Sequence, residues 1–165
     1  MPCEGSSQKD GERFDAETAG PDETESLGRQ LAGLLPRGCV VALYGELAAG
    51  KTCFVRGMAH HFTRDEVVHS PTFTLVNEYG IDPKLYHVDL YRLEGSVDLA
   101  MLGYEELFDS DAGICVVEWA DRAAEVLPAR RVDVYLDYGY APDVRNIAVV
   151  NHGCDLPHDW TAALQ

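Results

Sequence analysis

An α/β fold, with a mixed and mostly parallel sheet flanked by helices, is what this chain predicts. Three observations predict it. A glycine-rich octapeptide joins a short apolar run to an amphipathic stretch. Apolar runs and helix-period stretches alternate early in the chain, as they do where parallel strands are linked by helices. Later come two pairs of β-rich segments joined by turn residues, which read as hairpins and make the sheet mixed.

The octapeptide is Gly45-Glu-Leu-Ala-Ala-Gly-Lys-Thr52, the G-x-x-x-x-G-K-[ST] pattern of a phosphate-binding loop. Successive backbone N–H groups in such a turn form a concave anion site, and the helix that follows adds its positive end. Gly45 and Gly50 permit backbone conformations and a close phosphate approach that a Cβ obstructs. Lys51 supplies a point charge to the phosphates, and Thr52 a hydroxyl for Mg²⁺. The flanks give the motif its context. Gly38–Tyr44 is an apolar run typical of a buried parallel strand. Lys51–Phe62 spaces Phe54, Val55, Met58 and Phe62 for one face of a helix. The combination predicts the P-loop nucleotide triphosphatase fold.

The other elements follow in order. Residues 1–20 are rich in Gly, Ser, Glu and Asp, nearly free of large apolar groups, and are expected to be a disordered acidic tail. A helix is expected to start near Asp22–Thr24, with Leu27, Leu31, Leu34 and Leu35 as its apolar stripe and Pro36 and Gly38 as its stop. Residues 72–91 read as a hairpin turning at Gly80–Pro83. Short helices are expected at Ser96–Leu102 and around Tyr104–Phe108, then an apolar strand Gly113–Trp119 and a short helix over 121–127 stopped by Pro128. Arg131–Tyr138 and Val144–Val150 form the second hairpin. The expected domain is 21–151, with 152–165 as a C-terminal tail.

Length and composition narrow the function. A chain of 165 residues, 46% hydrophobic, suits one domain with a real core. Thirteen Lys+Arg stand against 28 Asp+Glu, a formal net charge of −15, so the surface repels nucleic-acid backbones and tight direct binding to them is not expected. The five cysteines, Cys3, Cys39, Cys53, Cys115 and Cys154, form no C-x-x-C pair, as in a reduced cytoplasmic protein. Cys39 and Cys115 lie in apolar runs and read as small core residues. No apolar run is long enough to span a bilayer, so no membrane role is expected.

A phosphate loop needs an acidic partner for Mg²⁺ near the end of a buried strand. Two carboxylates qualify: Asp89 in Tyr86-His-Val-Asp-Leu-Tyr91, and Glu118 after Ile-Cys-Val-Val. Each reads equally as a solvated strand-end acid when taken alone, but Glu118 is carried to a strand's C-terminal edge, where open α/β sheets bind ligands. The hydroxyls of Ser70-Pro-Thr-Phe-Thr74 read either as a γ-phosphate-sensing segment or as an ordinary Ser-Pro turn. Trp119 reads as a residue that stacks on a base or on a partner or, more simply, as a half-buried core aromatic. The six histidines show no ligand spacing for zinc.

Four blocks in this order, Gly45–Thr52, Ser70-Pro-Thr-Phe-Thr-Leu-Val-Asn-Glu-Tyr79, Tyr86-His-Val-Asp-Leu-Tyr-Arg-Leu93 and Val116-Val-Glu-Trp119, resemble the TsaE (YjeE) family of small bacterial ATPases over about residues 24–150. The resemblance implies ATP/ADP and Mg²⁺ as ligands. It implies a part in forming the N6-threonylcarbamoyl group on adenosine 37 of tRNAs that read ANN codons, with the TsaD–TsaB pair as partner and tRNA met only through that complex. By position it implies Lys51, Asp89 and Glu118 as catalytic residues and Thr52 and Glu118 at the metal, with Asp89 a further candidate at the metal or at the attacking water. It also implies Thr24, Glu46, Ala48, Ala49, Gly50, Lys51, Thr52, Cys53 and Arg145 around the nucleotide. The family usually has Gly at the position of Ala48, Thr at Cys53 and Tyr at Phe73.

Two other functions share this fold class. A small-molecule kinase needs an acceptor pocket and an Arg-bearing lid; the local Arg cluster here is Arg122, Arg130 and Arg131, without a lid-length insertion. A nucleotide-dependent binding module would lack the Asp89/Glu118 pair.

Overall fold

The computed structural model describes residues 11–71, 75–93, 96–109, 111 and 113–164. Seven strands form one sheet: β1 (Glu12–Thr18), β2 (Val40–Tyr44), β3 (Val76–Tyr79), β4 (Lys84–Asp89), β5 (Gly113–Glu118), β6 (Arg131–Tyr138) and β7 (Arg145–His152). Their order across the sheet is β1-β7-β6-β2-β5-β4-β3. The central strands β6, β2, β5 and β4 are mutually parallel, while β3 and β7 run against them and β1 runs against β7. Five of the seven strands therefore point the same way, as the sequence predicts.

Helices α1 (Pro21–Ala32) and α2 (Lys51–Phe62) cover one face. Leu31, Phe54, Val55 and Met58 are fully buried there against Val41, Leu43, Val116 and Val134 of the sheet. On the other face α3 (Ser96–Leu102), α4 (Tyr104–Phe108) and a 3₁₀ turn at Ala120–Ala123 cover β2, β4 and β5. The predicted helix over 121–127 is thus a 3₁₀ turn running on into turns. A last short helix, α5, spans Trp160–Ala163.

Two expectations at the chain ends are corrected. Residues 12–18 are not part of a disordered tail: they are an edge strand paired with β7 from Glu12↔Asn151 to Thr18↔Arg145. Arg13, Asp15 and Glu17 take one face, and the half-buried Phe14 and Ala16 the other. That alternation is a strand signal, and the acidic composition around it masks it. Nor is 152–165 a tail: Trp160 and Leu164 are 1% exposed within the main core, and the Trp160 indole N–H donates to Glu12 at 2.6 Å. One tryptophan and two leucines, unevenly spaced over residues 152–165, make no periodic pattern, so the sequence alone does not reveal the docking.

Helix α1 begins with Pro21 at its first turn, followed by Asp22 and Glu23. The Glu23 carboxylate accepts the Ala19 N–H at 2.7 Å, which satisfies a donor at the helix entry. The helix stops at Ala32 rather than running through Leu34 and Leu35, which pack half-buried in the turn before Pro36. Its fit against α2 is close. A Cβ on Gly57 would lie 1.9 Å from the Glu25 carbonyl oxygen, and one on Gly28 would lie 2.2 Å from that of Phe54. An ion pair between Arg56 and Glu25, at 2.8 Å, crosses the same seam.

Between β2 and α2 the phosphate loop takes left-handed turns at Gly50 (φ 103°) and at Ala48 (φ 63°). Glycine adopts this region freely, whereas an alanine there carries a steric cost of about 1 kcal/mol. Outside atoms fix the loop in this shape. Arg145 donates from Nε to the Ala49 carbonyl at 3.0 Å and from its terminal nitrogen to that of Ala48 at 3.3 Å. The Tyr138 hydroxyl donates to the Leu47 carbonyl.

Two stability outcomes follow from this backbone. Helix propensity alone would make Gly57→Ala stabilising by about 1 kcal/mol, but the clash with Glu25 reverses the sign. We expect a loss of about 2–3 kcal/mol in urea unfolding. Ala48→Gly removes a left-handed alanine and adds freedom to the unfolded chain, opposing effects that leave a gain of up to about 1 kcal/mol. A lower urea midpoint for this variant would show that the Ala48 methyl makes contacts worth more than its strain.

Candidate functional site

Three parallel strands end side by side at one rim of the sheet. Leu43 of β2 is level with Glu118 of β5, and Glu118 is level with Asp89 of β4. The loop that leaves β2 therefore rises next to two carboxylates that lie 29 residues apart in the chain. This is the C-terminal edge, where ligands bind in open parallel sheets. A cleft of about 390 Å³ opens there, walled by Ala48, Lys51, Thr52, Asp89, Glu118 and Trp119, with Cys53 and Ser70 also on its lining. A larger groove of about 640 Å³ on the open face of β1, β6 and β7 is lined by none of the motif residues.

Within the cleft the predicted residues meet. Thr52 Oγ1 donates to Glu118 Oε1 at 2.8 Å. Glu118 is 1% exposed, so its carboxylate depends on such partners, and its second oxygen contacts His87 Nε2 at 3.1 Å. Asp89 accepts the Ser70 hydroxyl on Oδ2 and the Tyr91 N–H on Oδ1, each at 2.9 Å. Thr72 and Thr74, the other hydroxyls of the proposed sensing segment, lie outside the described residues, as does Phe73.

Lys51 is 5% exposed. Its ammonium donates to the carbonyls of Gly45 and Glu46 at 2.6 and 2.7 Å and lies 3.9 Å from the centre of the Trp119 ring. Burial holds its pKa below the ordinary lysine value, against the opposing pull of Glu118, Asp89 and Asp121. Trp119 itself sits in a left-handed conformation, φ 58°, and tilts against Tyr91 with ring centres 4.9 Å apart. Of the two readings from sequence the half-buried aromatic holds, and its ring faces the Lys51 ammonium of its own chain.

The remaining predicted residues divide. Gly50, Thr52 and Cys53 line the cleft; the Cys53 thiol is pushed up in pKa by burial and contacts the Pro21 carbonyl. Glu46 contributes its carbonyl to Lys51 and leaves its side chain exposed, and Ala49 is buried beneath the loop. Thr24 lies behind the loop and not on the cleft lining. Its methyl faces Gly50, and its hydroxyl is bonded to Thr18 at 2.8 Å and to the Gly20 carbonyl at 3.3 Å. Arg145 grips the loop from outside: its guanidinium donates to the carbonyls of Ala48, Ala49, Pro142 and Val144 and stacks on Tyr138. His87 and Tyr138 enter the site without having been singled out. For His87 a signal existed, since a strand's period of two puts it on the same face as Asp89. For Tyr138 none did, because its contact with Leu47 spans 91 residues.

The comparisons with known proteins bear on this geometry. The family model described as threonylcarbamoyl adenosine biosynthesis protein TsaE matches residues 18–147. The Bacillus subtilis tRNA threonylcarbamoyladenosine biosynthesis protein TsaE is 40% identical over 121 residues, 72% of this chain and 74% of its own length. The Haemophilus influenzae protein of the same name is 38% identical over 138 residues, 79% and 85% of the two chains. Its Treponema pallidum namesake is 43% identical over 114 residues, 69% and 84%. The crystal structure of Bacillus subtilis YdiB is similar with a TM-score of 0.73 and 32% identity, covering 87% of this chain and 88% of that one. With its phosphate loop, its paired rim carboxylates and a match that spans most of its length, this chain belongs to the TsaE family.

Proposed function

We propose that this chain is a Mg²⁺-dependent ATPase that supports formation of the threonylcarbamoyl group on adenosine 37 of tRNAs reading ANN codons, acting in the cytoplasm with the TsaD–TsaB pair. The observation that carries the ATPase part is the 2.8 Å contact between Thr52 and Glu118. A loop hydroxyl and a strand-end carboxylate, 66 residues apart, meet beside the phosphate-loop lysine. The relatives' names supply the pathway.

The donor set fits Mg²⁺. Thr52, Glu118 and Asp89 offer only hard oxygen ligands. Magnesium takes one or two carboxylates from a protein and completes its shell with water and substrate phosphates. Among the described residues no group of three or more His, Cys, Asp or Glu is arranged to hold a metal unaided. In this reading Thr52 and Glu118 hold the ion, which would neutralise charge on the β- and γ-phosphates. The backbone of Glu46–Gly50 cradles those phosphates, and Lys51 leaves its two carbonyls to meet them. In the same reading Asp89, oriented by Ser70 and the Tyr91 N–H, holds the attacking water.

A kinase reading has less support. Arg122, Arg130 and Arg131 are each bonded to protein groups: the Leu93 carbonyl, the Gly153 carbonyl with Asp155, and Asp133. None of the three lines the cleft. With a net charge of −15, tRNA is expected to be met through the partner pair and not by this chain alone.

Phosphate release from ATP, measured with and without the TsaD–TsaB pair, tests the reading. Release should require Mg²⁺ and rise when the pair is present, and no phosphorylated small molecule should accumulate. Lys51→Ala should lower the rate roughly 100-fold or more, because the lysine's charge acts where negative charge builds up. Glu118→Gln keeps the shape of the side chain and removes its charge. It should weaken nucleotide binding about tenfold with Mg²⁺ and leave metal-free binding nearly unchanged. Titration with a non-hydrolysable ATP analogue, with and without EDTA, reads that difference; equal losses would point to a structural carboxylate.

A further inference from the structure

The most unusual polar group in the core is His87. Its side chain is fully buried on β4, two residues before Asp89 and on the same face of the sheet. Nε2 lies 3.1 Å from Glu118 Oε2, and among the described residues Nδ1 has no hydrogen-bond partner. The ring of Tyr79 is tilted against it at a centre-to-centre distance of 6.4 Å. Burying an imidazole is costly unless it is hydrogen-bonded, so the bond that it makes to Glu118 has to matter. A carboxylate only accepts, so the hydrogen of that bond is on Nε2.

The bond also breaks the symmetry of Glu118. One carboxylate oxygen faces His87 in the dry interior, and the other faces Thr52 at the cleft. Without the imidazole, Oε2 would be a buried charge-bearing oxygen with no donor, and the carboxylate would be free to turn about its terminal bond. We propose that His87 is a positioning residue: its Nε2–H holds Glu118 so that Oε1 faces Thr52 and the metal bound there. It acts through Glu118 and touches neither nucleotide nor ion. Outer donors of this kind orient ligating carboxylates in metal sites generally. The inference rests on the Mg²⁺–nucleotide reading above.

The test is a Mg²⁺ titration of the binding of a fluorescent, non-hydrolysable ATP analogue, with metal-free binding measured in parallel, for the wild-type chain, H87Q, H87N and H87L. The glutamine amide nitrogen reaches the position of the imidazole Nε2, and the shorter asparagine amide does not. H87N and H87L should raise the Mg²⁺ concentration for half-maximal binding about tenfold or more, with metal-free affinity unchanged, and H87Q should restore most of the loss. If H87L fails to fold, the contrast between H87Q and H87N, both polar, decides the matter. A wild-type Mg²⁺ dependence in H87N, a defect in H87Q as deep as that in H87N, or an equal loss of metal-free binding would overturn the positioning role. If the wild-type chain itself shows no Mg²⁺ dependence, the magnesium reading fails and the role of His87 falls with it; if that dependence is present and indifferent to residue 87, only the positioning role fails.

Discussion

Parallel pairing of β2 with β5, and of β5 with β4, is the constraint on which the rest of this molecule depends. It sets Leu43, Glu118 and Asp89 on one level at the rim. A slip of one residue in either ladder would turn the acids to the other face, because side chains alternate along a strand. The register is held by fully buried runs, Val40–Leu43 and Ile114–Val117, with helices on both sides. Apolar burial, which is indifferent to chemistry, thus fixes where the chemistry sits.

That arrangement leaves buried charge to be stabilised, and the polar contacts are distributed accordingly. Glu118 has Thr52 on one oxygen and His87 on the other. Lys51 has two carbonyls and an aromatic face. Each of these groups is satisfied by a neighbour on a different element, so helix α2, strand β4 and strand β5 are tied together at the cleft by hydrogen bonds as well as by packing. Two of the three non-glycine residues in left-handed conformations among the described residues, Ala48 and Trp119, lie on the loops that flank the cleft; the third is Leu75. Strain of this sort persists where the surroundings over-determine the backbone, and the guanidinium of Arg145 and the hydroxyl of Tyr138 do that for the first loop.

Much of the fold was legible in the sequence because its signals are local. The phosphate loop, the apolar strands beside it and the face of α2 each declare themselves within a dozen residues. The two hairpins were legible for the same reason. What was hidden is non-local. Strand β1 becomes a strand only through β7, more than 125 residues away, and its acidic side chains resemble those of a tail. Trp160 is a lone aromatic until Glu12 and the core receive it. At the site, Glu118 and Lys51 were marked out by position and motif. His87 announced only which face it shares with Asp89, because the sequence does not say which strand lies alongside.

The seam between α1 and α2 has a consequence for how this architecture varies. With Gly28 and Gly57 bringing backbone against backbone, the two helices sit nearer each other than side chains on both partners would allow. The phosphate loop feeds directly into α2, so a shift of α2 away from α1 carries the loop with it along the rim. A relative that replaces either glycine must hold its helices farther apart, and must then fill the widened gap with bulkier neighbours along the Leu27–Leu31 stripe or shift its loop relative to the rim acids. In this architecture a coupled change at three or four positions along one helical seam would be the mark of a differently proportioned nucleotide cleft.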